Sequence, residues 1–150
     1  MDASGMELLP EGPVRRMVAA ANRHNLEEMV SQFTEDFENT TPVHPGRSFK
    51  GSAQVRKNWA GLFAGLPDLS LTVHDAAAGP GNKVWMEWSN RGTRPDGSVT
   101  RSAGVSIFTV RDGRIAAVQF YLEPVDHDSG DVNQAVSMVV RGAAGGGDGS

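Results

Sequence analysis

The sequence predicts an α+β domain: helices first, then a meander of mainly antiparallel strands, closed as a cone-shaped curved sheet on the helices around an internal pocket. Three observations carry this prediction. Apolar residues recur at helical spacing in three stretches before residue 65. From Asp68 onward they alternate in twos instead. Asp112-Gly113 gives a hairpin signal between the last two alternating runs. Helices segregated from a run of strands read as α+β.

Each element has a local cause. Pro13 suits a first helical turn, and Val14, Met17, Val18 and Ala21 share one face, predicting a helix over 13–22. Asn25 is a cap for a second helix over 26–33, with Glu27 and Glu28 in the turn where the dipole favours acids. Phe37, Asn39, Thr41 and Val43 alternate with Glu38 and Thr40 in a short strand, and Pro42 marks an edge or a bulge. Ser52 is a cap for a third helix over 53–64, with Val55, Trp59, Leu62 and Phe63 inward. Strands follow around Leu69, Leu71 and Val73, then over 84–90, 98–110 and 114–123. Pro95-Asp96-Gly97 is the turn before the third of these.

The 150 residues suffice for one domain, placed over residues 13–124. Residues 1–12 are expected to be disordered, as is most of the tail, 125–150, whose last ten residues are Gly-rich. Within that tail 132–140 reads as a short helix or an extended pairing segment. The chain has no cysteine, which excludes disulfides, thiolate metal sites and a cysteine nucleophile. A net charge of −4 argues against nucleic-acid binding and a basic membrane surface. No apolar run is long enough for a membrane helix and no secretory start is visible, so a cytoplasmic protein is expected. His24, His44, His74 and His127 stand at no metal-ligand spacing, so no metal site is expected.

Several phrases, in order, resemble the superfamily of ketosteroid isomerase, scytalone dehydratase and nuclear transport factor 2. They run from Asn25-Leu26-Glu27-Glu28-Met29-Val30 through Pro67-Asp68-Leu69-Ser70-Leu71 and Val84-Trp85-Met86-Glu87-Trp88-Ser89-Asn90 to Gly104-Val105-Ser106-Ile107-Phe108 and Tyr121-Leu122-Glu123. Within that superfamily the chain most resembles the SnoaL-like polyketide cyclases. The resemblance implies a cystatin-like α+β barrel, a small-molecule pocket and no metal or organic cofactor. It does not name the reaction, because this fold hosts many.

Three chemistries can be tested on the residues. Steroid isomerisation needs a carboxylate base and buried donors. The resemblance puts those slots on Thr41, Met17 and Ser106, none of which supplies the group. Epoxide hydrolysis in this superfamily uses an Asp-Arg-Asp cluster, whose slots fall on Asn90, Trp88 and Phe120. A SnoaL-like aldol cyclase keeps its acid on the final strand, where Glu123 is available. One step of register decides whether Glu123 or its neighbours Phe120 and Leu122 face the pocket.

The expected reading is a cofactor-independent cyclase acting on an apolar polyketide-derived substrate by aldol, Michael or pericyclic closure. Asn90, Tyr121, Glu123 and Thr41 are the candidate catalytic residues. Met17, Asn39, Trp59, Met86, Trp88, Ser106 and Phe120 are the candidate lining. An epoxide hydrolase or isomerase, and a non-catalytic binding domain, are the alternatives. A half-exposed outer sheet face carrying Trp85 and Val105 or Ile107 predicts a homodimer.

Overall fold

The computed structural model describes residues 3–142. The first helix, α1 (Pro13–Asn22), starts on its proline as expected. Its buried face is Val14, Met17, Val18, Ala20 and Ala21. Asn25 caps α2 (Leu26–Val30) by accepting the Glu28 N–H at 3.1 Å. This helix was expected to run to Phe33 but stops three residues earlier. Phe33 instead opens β1 (Phe33–Thr40), where it pairs with Ile115 and buries its ring. A strand ladder satisfies that backbone and fills the core, and local helix propensity yields to it.

The strand expected over 37–43 is therefore shifted. Thr41 is buried beyond its end, Val43 is exposed, and the chain turns through a 3-10 segment at Pro45–Arg47. A short edge strand, β2 (Phe49–Lys50), leads to α3 (Ser52–Gly65). The cap of α3 is Gly51, not Ser52, and it makes no side-chain bond. Its φ of 97° is one that glycine adopts without strain. On α3, Val55 is buried and Trp59 and Phe63 are partly buried, but Leu62 is exposed, against expectation.

Four long strands complete the sheet: β3 (Ser70–Gly79), β4 (Lys83–Thr93), β5 (Val99–Arg111) and β6 (Arg114–Pro124). The order is β2-β1-β6-β5-β4-β3, antiparallel except for the β1–β6 pair. The β5–β6 turn carries Asp112 and Gly113 at φ 51° and 75°, the left-handed pair that matches strand twist. The curved sheet wraps its concave face on the helices, and one cluster from α1, α2, β1 and the sheet forms the core.

The N-terminal segment corrects an expectation. Residues 1–12 were expected to lack structure, yet Met6–Leu8 form a 3-10 turn and Leu9 is 1% exposed. The Arg15 guanidinium donates to the carbonyls of Leu9 and Glu7, and the Val73 N–H donates to the Ser4 carbonyl at 2.6 Å. One buried leucine and a strand-edge bond tie the segment down. At the other end, Val132–Arg141 form α4, capped reciprocally by Asp131 and Gln134. The Gly-rich stretch expected to be disordered falls mostly outside the described residues, from residue 143 on.

The edge strand β3 is held to α1 by one side chain. Asn22 donates to the Leu71 carbonyl at 3.0 Å and accepts the Leu71 N–H at 2.7 Å, imitating a neighbouring strand. Asn22→Ala leaves both groups of a buried residue unpaired. We expect a loss of about 2 kcal/mol in urea unfolding. A loss below about 0.5 kcal/mol would show that water replaces the amide without cost.

Candidate functional site

The concave face of the sheet and helices α1 to α3 enclose a cavity of about 60 Å³. Its floor comes from alternate residues of neighbouring strands. Met86 lies opposite Ser106, which lies opposite Phe120; one layer along, Phe108 lies opposite Val118. Trp88 pairs with Gly104 and Val73. Asn39 pairs with Val118 across the parallel β1–β6 ladder. From the helices come Met17, Met29, Val55, Asn58 and Trp59. Phe33, Phe37, Phe49 and Leu71 close the wall.

All seven expected lining residues, Met17, Asn39, Trp59, Met86, Trp88, Ser106 and Phe120, line this cavity. The four expected catalytic residues do not. Asn90 is two residues beyond Trp88, opposite Leu71 and Ser102, outside the wall. Thr41 is buried behind the wall, where its hydroxyl accepts a hydrogen bond from the Asn39 amide at 3.0 Å. It positions a lining residue and meets no cavity space itself. Tyr121 and Glu123 lie on the opposite face of β6. Tyr121 pairs with Val105, and Glu123 pairs with Ala103. Glu123 bonds His44 Nε2 at 2.7 Å on the exposed side.

The reason is a bulge. Next to the hairpin, Arg111 pairs with Arg114 and Val110 with Ile115. Then Thr109 pairs with Ala117, so Ala116 is an extra residue on β6. Without it, Tyr121 would lie opposite Gly104 and Glu123 opposite Ser102, on the cavity side. With it, every later residue of β6 changes face.

Sequence reasoning also missed nine wall residues. Val55 was itself expected to point inward and Asn58 lies one helical turn from it, whereas Met29 sits on a helix for which no inward face was assigned. Phe37, Phe108 and Val118 sit two residues from the expected Asn39, Ser106 and Phe120, and Leu71 lies on the alternating face expected from Leu69 to Val73. Phe33 was assigned to a helix, and Phe49 sits in a two-residue strand that no pattern marks.

The cavity chemistry is apolar with a few neutral polar points. The Trp88 indole N–H donates to Ser106 Oγ at 2.9 Å, and both residues are buried. The Phe120 ring stands edge-on to Trp88 at 6.3 Å, and Phe37 edge-on to Phe33 at 4.9 Å. Asn39 and Asn58 add carboxamides. Among the described residues no Asp, Glu, His, Lys or Arg lines the wall. The carboxyls held below their ordinary range are all elsewhere, on the surface. Hydrogen bonds from Arg56 lower Glu27 and those from Arg111 and Thr34 lower Asp36, while Thr93 lowers Asp68 and Ser98 lowers Asp96. Among the described residues no group of three or more His, Cys, Asp or Glu side chains is placed to hold a metal ion. None of their helices is long and apolar enough to cross a membrane.

The profile of the SnoaL-like domain matches residues 14–118, from the start of α1 to the cavity stretch of β6. The chain belongs to the SnoaL-like family. Among curated proteins none matches this SnoaL-like chain in sequence. Solved structures share its fold. A proposed polyketide cyclase from Sinorhizobium meliloti is 19% identical at a TM-score of 0.61, covering 79% of this chain and 98% of its own. The epoxide hydrolase/cyclase-like enzyme SalBIII, studied for pyran ring formation in the polyether salinomycin, is 19% identical at 0.65, covering 74% and 88%. RV0760c of Mycobacterium tuberculosis, solved with estradiol-17beta-hemisuccinate, is 16% identical at 0.64, covering 74% and 94%. At these identities the likeness establishes the fold of the SnoaL-like domain and leaves its chemistry to the site.

Proposed function

We propose that this SnoaL-like protein is a cofactor-independent cyclase for an apolar, polyketide-derived substrate, closing the ring by holding the reacting carbons together. The observation that carries this is the chemistry of the wall, where among the described residues every lining side chain is un-ionisable. A demanding deprotonation needs a base within hydrogen-bond reach, and the wall offers none. Orientation needs no such group. Effective molarity alone can remove roughly 7–11 kcal/mol from a barrier. A pericyclic closure fits this wall, as does a Michael-type closure by a neutral nucleophile whose own proton passes to the α-carbon; an aldol or Michael closure that begins with proton abstraction from carbon does not. Opening an epoxide calls for an acid on its oxygen, so the hydrolase alternative has no group to use.

Size sets a second condition. Ligand sites usually span about 300–1,000 Å³, and this cavity holds about 60 Å³. A substrate therefore enters by displacing the partly exposed side chains of the wall, Phe49, Trp59 and Phe120. A non-catalytic small-molecule-binding domain is the second reading, supported by the same uncharged wall. Either form is expected to work as a homodimer joined through the outer face, where Trp85 is 48% exposed but Ile107 is buried.

The test is incubation with linear polyketide precursors, followed by mass analysis. The expected product is an isomer of the substrate, formed at a rate that is flat across neutral pH. Glu123→Gln and Tyr121→Phe should keep full activity, because both side chains lie behind the sheet. A product heavier by one water would replace cyclisation with hydrolysis. Tight binding without turnover would leave the binding-domain reading. Loss of activity in Glu123→Gln would return acid catalysis to the final strand.

A further inference from the structure

The concave face of the sheet runs on past the cavity. On β5 it continues from Phe108 and Ser106 through Gly104 and Ser102 to Thr100, and on β4 from Trp88 to Asn90. From Gly104 on these positions are small or polar, and Gly104, Ser102, Thr100 and Asn90 are only half-buried. The last strand, β6, stops at Pro124 opposite Ser102, so beyond that pair β5 has an open edge. One bond crosses it, from the Val125 N–H to the Arg101 carbonyl. A groove of about 530 Å³ lies on this edge, lined by Arg94, Thr100, Arg101, Pro124, Asp126 and His127 among others. Arg101 is three residues of strand, about 10 Å, from Gly104, the partner of Trp88.

The charges here are unbalanced, on a chain whose net charge is −4. Arg101 stands directly opposite Arg91, a pairing of like charges that destabilises a ladder. Among the described residues no acceptor takes the Arg101 guanidinium. The neighbouring carboxylates are committed elsewhere: Asp68 to Thr93, Asp96 to Ser98 and Glu123 to His44. In the groove, Arg94 and Arg101 stand against the one carboxylate of Asp126, which leaves one positive charge; His127 adds to it only when protonated.

We infer that the substrate carries one carboxylate, held at Arg101 and Arg94 while its apolar body fills the cavity. This rests on reading the cavity as the ligand site, and it names the substrate class: an apolar carboxylic acid whose anionic end stays outside the reacting space. One surplus positive charge matches a carboxylate monoanion and not a dianion such as a phosphate monoester. A guanidinium also presents a planar fork that fits two carboxylate oxygens. The small side chains at Gly104 and Ser102 leave room for the chain that joins the two ends. Fixing one end by charge takes freedom from a flexible chain before its reacting carbons meet, which is what closure by templating requires. The groove is six residues along β5, about 20 Å, from the Trp85–Ile107 pair on the expected dimer face, so the two do not compete.

The probes are decanoate, its uncharged methyl ester and butyrate, with binding measured by calorimetry at low salt. Arg101→Gln should weaken decanoate about tenfold and change methyl decanoate by less than about twofold. Arg101 is exposed, so this variant is expected to fold. Arg114→Gln is the control for net charge: it removes an exposed arginine at the opposite end of β6 and should leave decanoate unchanged. Butyrate, too short to span groove and cavity, should bind at least about tenfold more weakly than decanoate. Decanoate that is insensitive to Arg101→Gln, is weakened equally by Arg114→Gln, or fails to bind where the ester binds overturns the carboxylate site and leaves the cavity as an apolar ligand site. Butyrate as tight as decanoate overturns the link between groove and cavity. Failure of both decanoate and its ester to bind overturns the ligand site as well.

Discussion

Gly104→Ala is expected to destabilise the protein by about 3 kcal/mol or more, an exceptional cost for one methyl group. Gly104 sits in β5 between Trp88 of β4 and Leu122 of β6. A Cβ there would overlap the Tyr121 carbonyl oxygen and come within 2.8 Å of Leu122 Cα. Both obstacles are backbone, so no rotamer change can relieve them. The sheet would have to shift where its concave face bends around the cavity. At this chain length the loss corresponds to a fall in melting temperature of roughly 6–12 °C. Gly61→Ala is the control. Apart from its chain neighbours and the backbone of its own helix, no atom lies within 4 Å of its added methyl, and it sits inside α3, so it should gain about 0.5–1 kcal/mol. Equal melting temperatures for the two variants would mean that β5 and β6 separate without cost at this point.

The second large effect is Phe37→Ala, at about 3–5 kcal/mol. Phe37 is 2% exposed, stands edge-on to Phe33, and leans on Phe49 at 6.1 Å. Its backbone is fixed on both sides of the ring. The Phe37 carbonyl accepts the Gly51 N–H at 2.6 Å, and Asn39 is paired to Val118 two residues on. The neighbours therefore cannot close over the gap, and the void joins the cavity already present. Urea denaturation measures the cost. A loss near 1 kcal/mol would show instead that β1 collapses inward and that the cavity wall is soft.

How far the site was legible depends on which periodicity carried each residue. Met17 was readable because Val14, Met17, Val18 and Ala21 recur on one helical face. Met86, Trp88 and Ser106 were readable because strand alternation holds unbroken from Lys83 to Thr93 and back along β5 to Thr109. Asn90 kept the right face but overshot the end of the cavity, since alternation carries no information about where a cavity stops. Thr41 and Phe33 were displaced by β1, whose start a local helix pattern concealed. Leu9 was invisible because Met6, Leu8 and Leu9 are too few, over too short a stretch, to establish a period.

What the sequence determined by itself is the order of elements, the hairpin at Asp112-Gly113, and the apolar character of the concave face. These follow from local rules, namely turn chemistry, capping and the two hydrophobic periods. Only the tertiary structure decided which polar groups meet the cavity. Ala116 is one extra residue in a ladder, and it turns Tyr121 and Glu123 outward and Phe120 inward. Side chains alternate with a period of two, so a single insertion reverses every face beyond it. That choice depends on pairing between strands, which no local pattern encodes. The same pairing brings the Trp88 indole N–H against Ser106 Oγ, 18 residues along the chain, on the cavity floor.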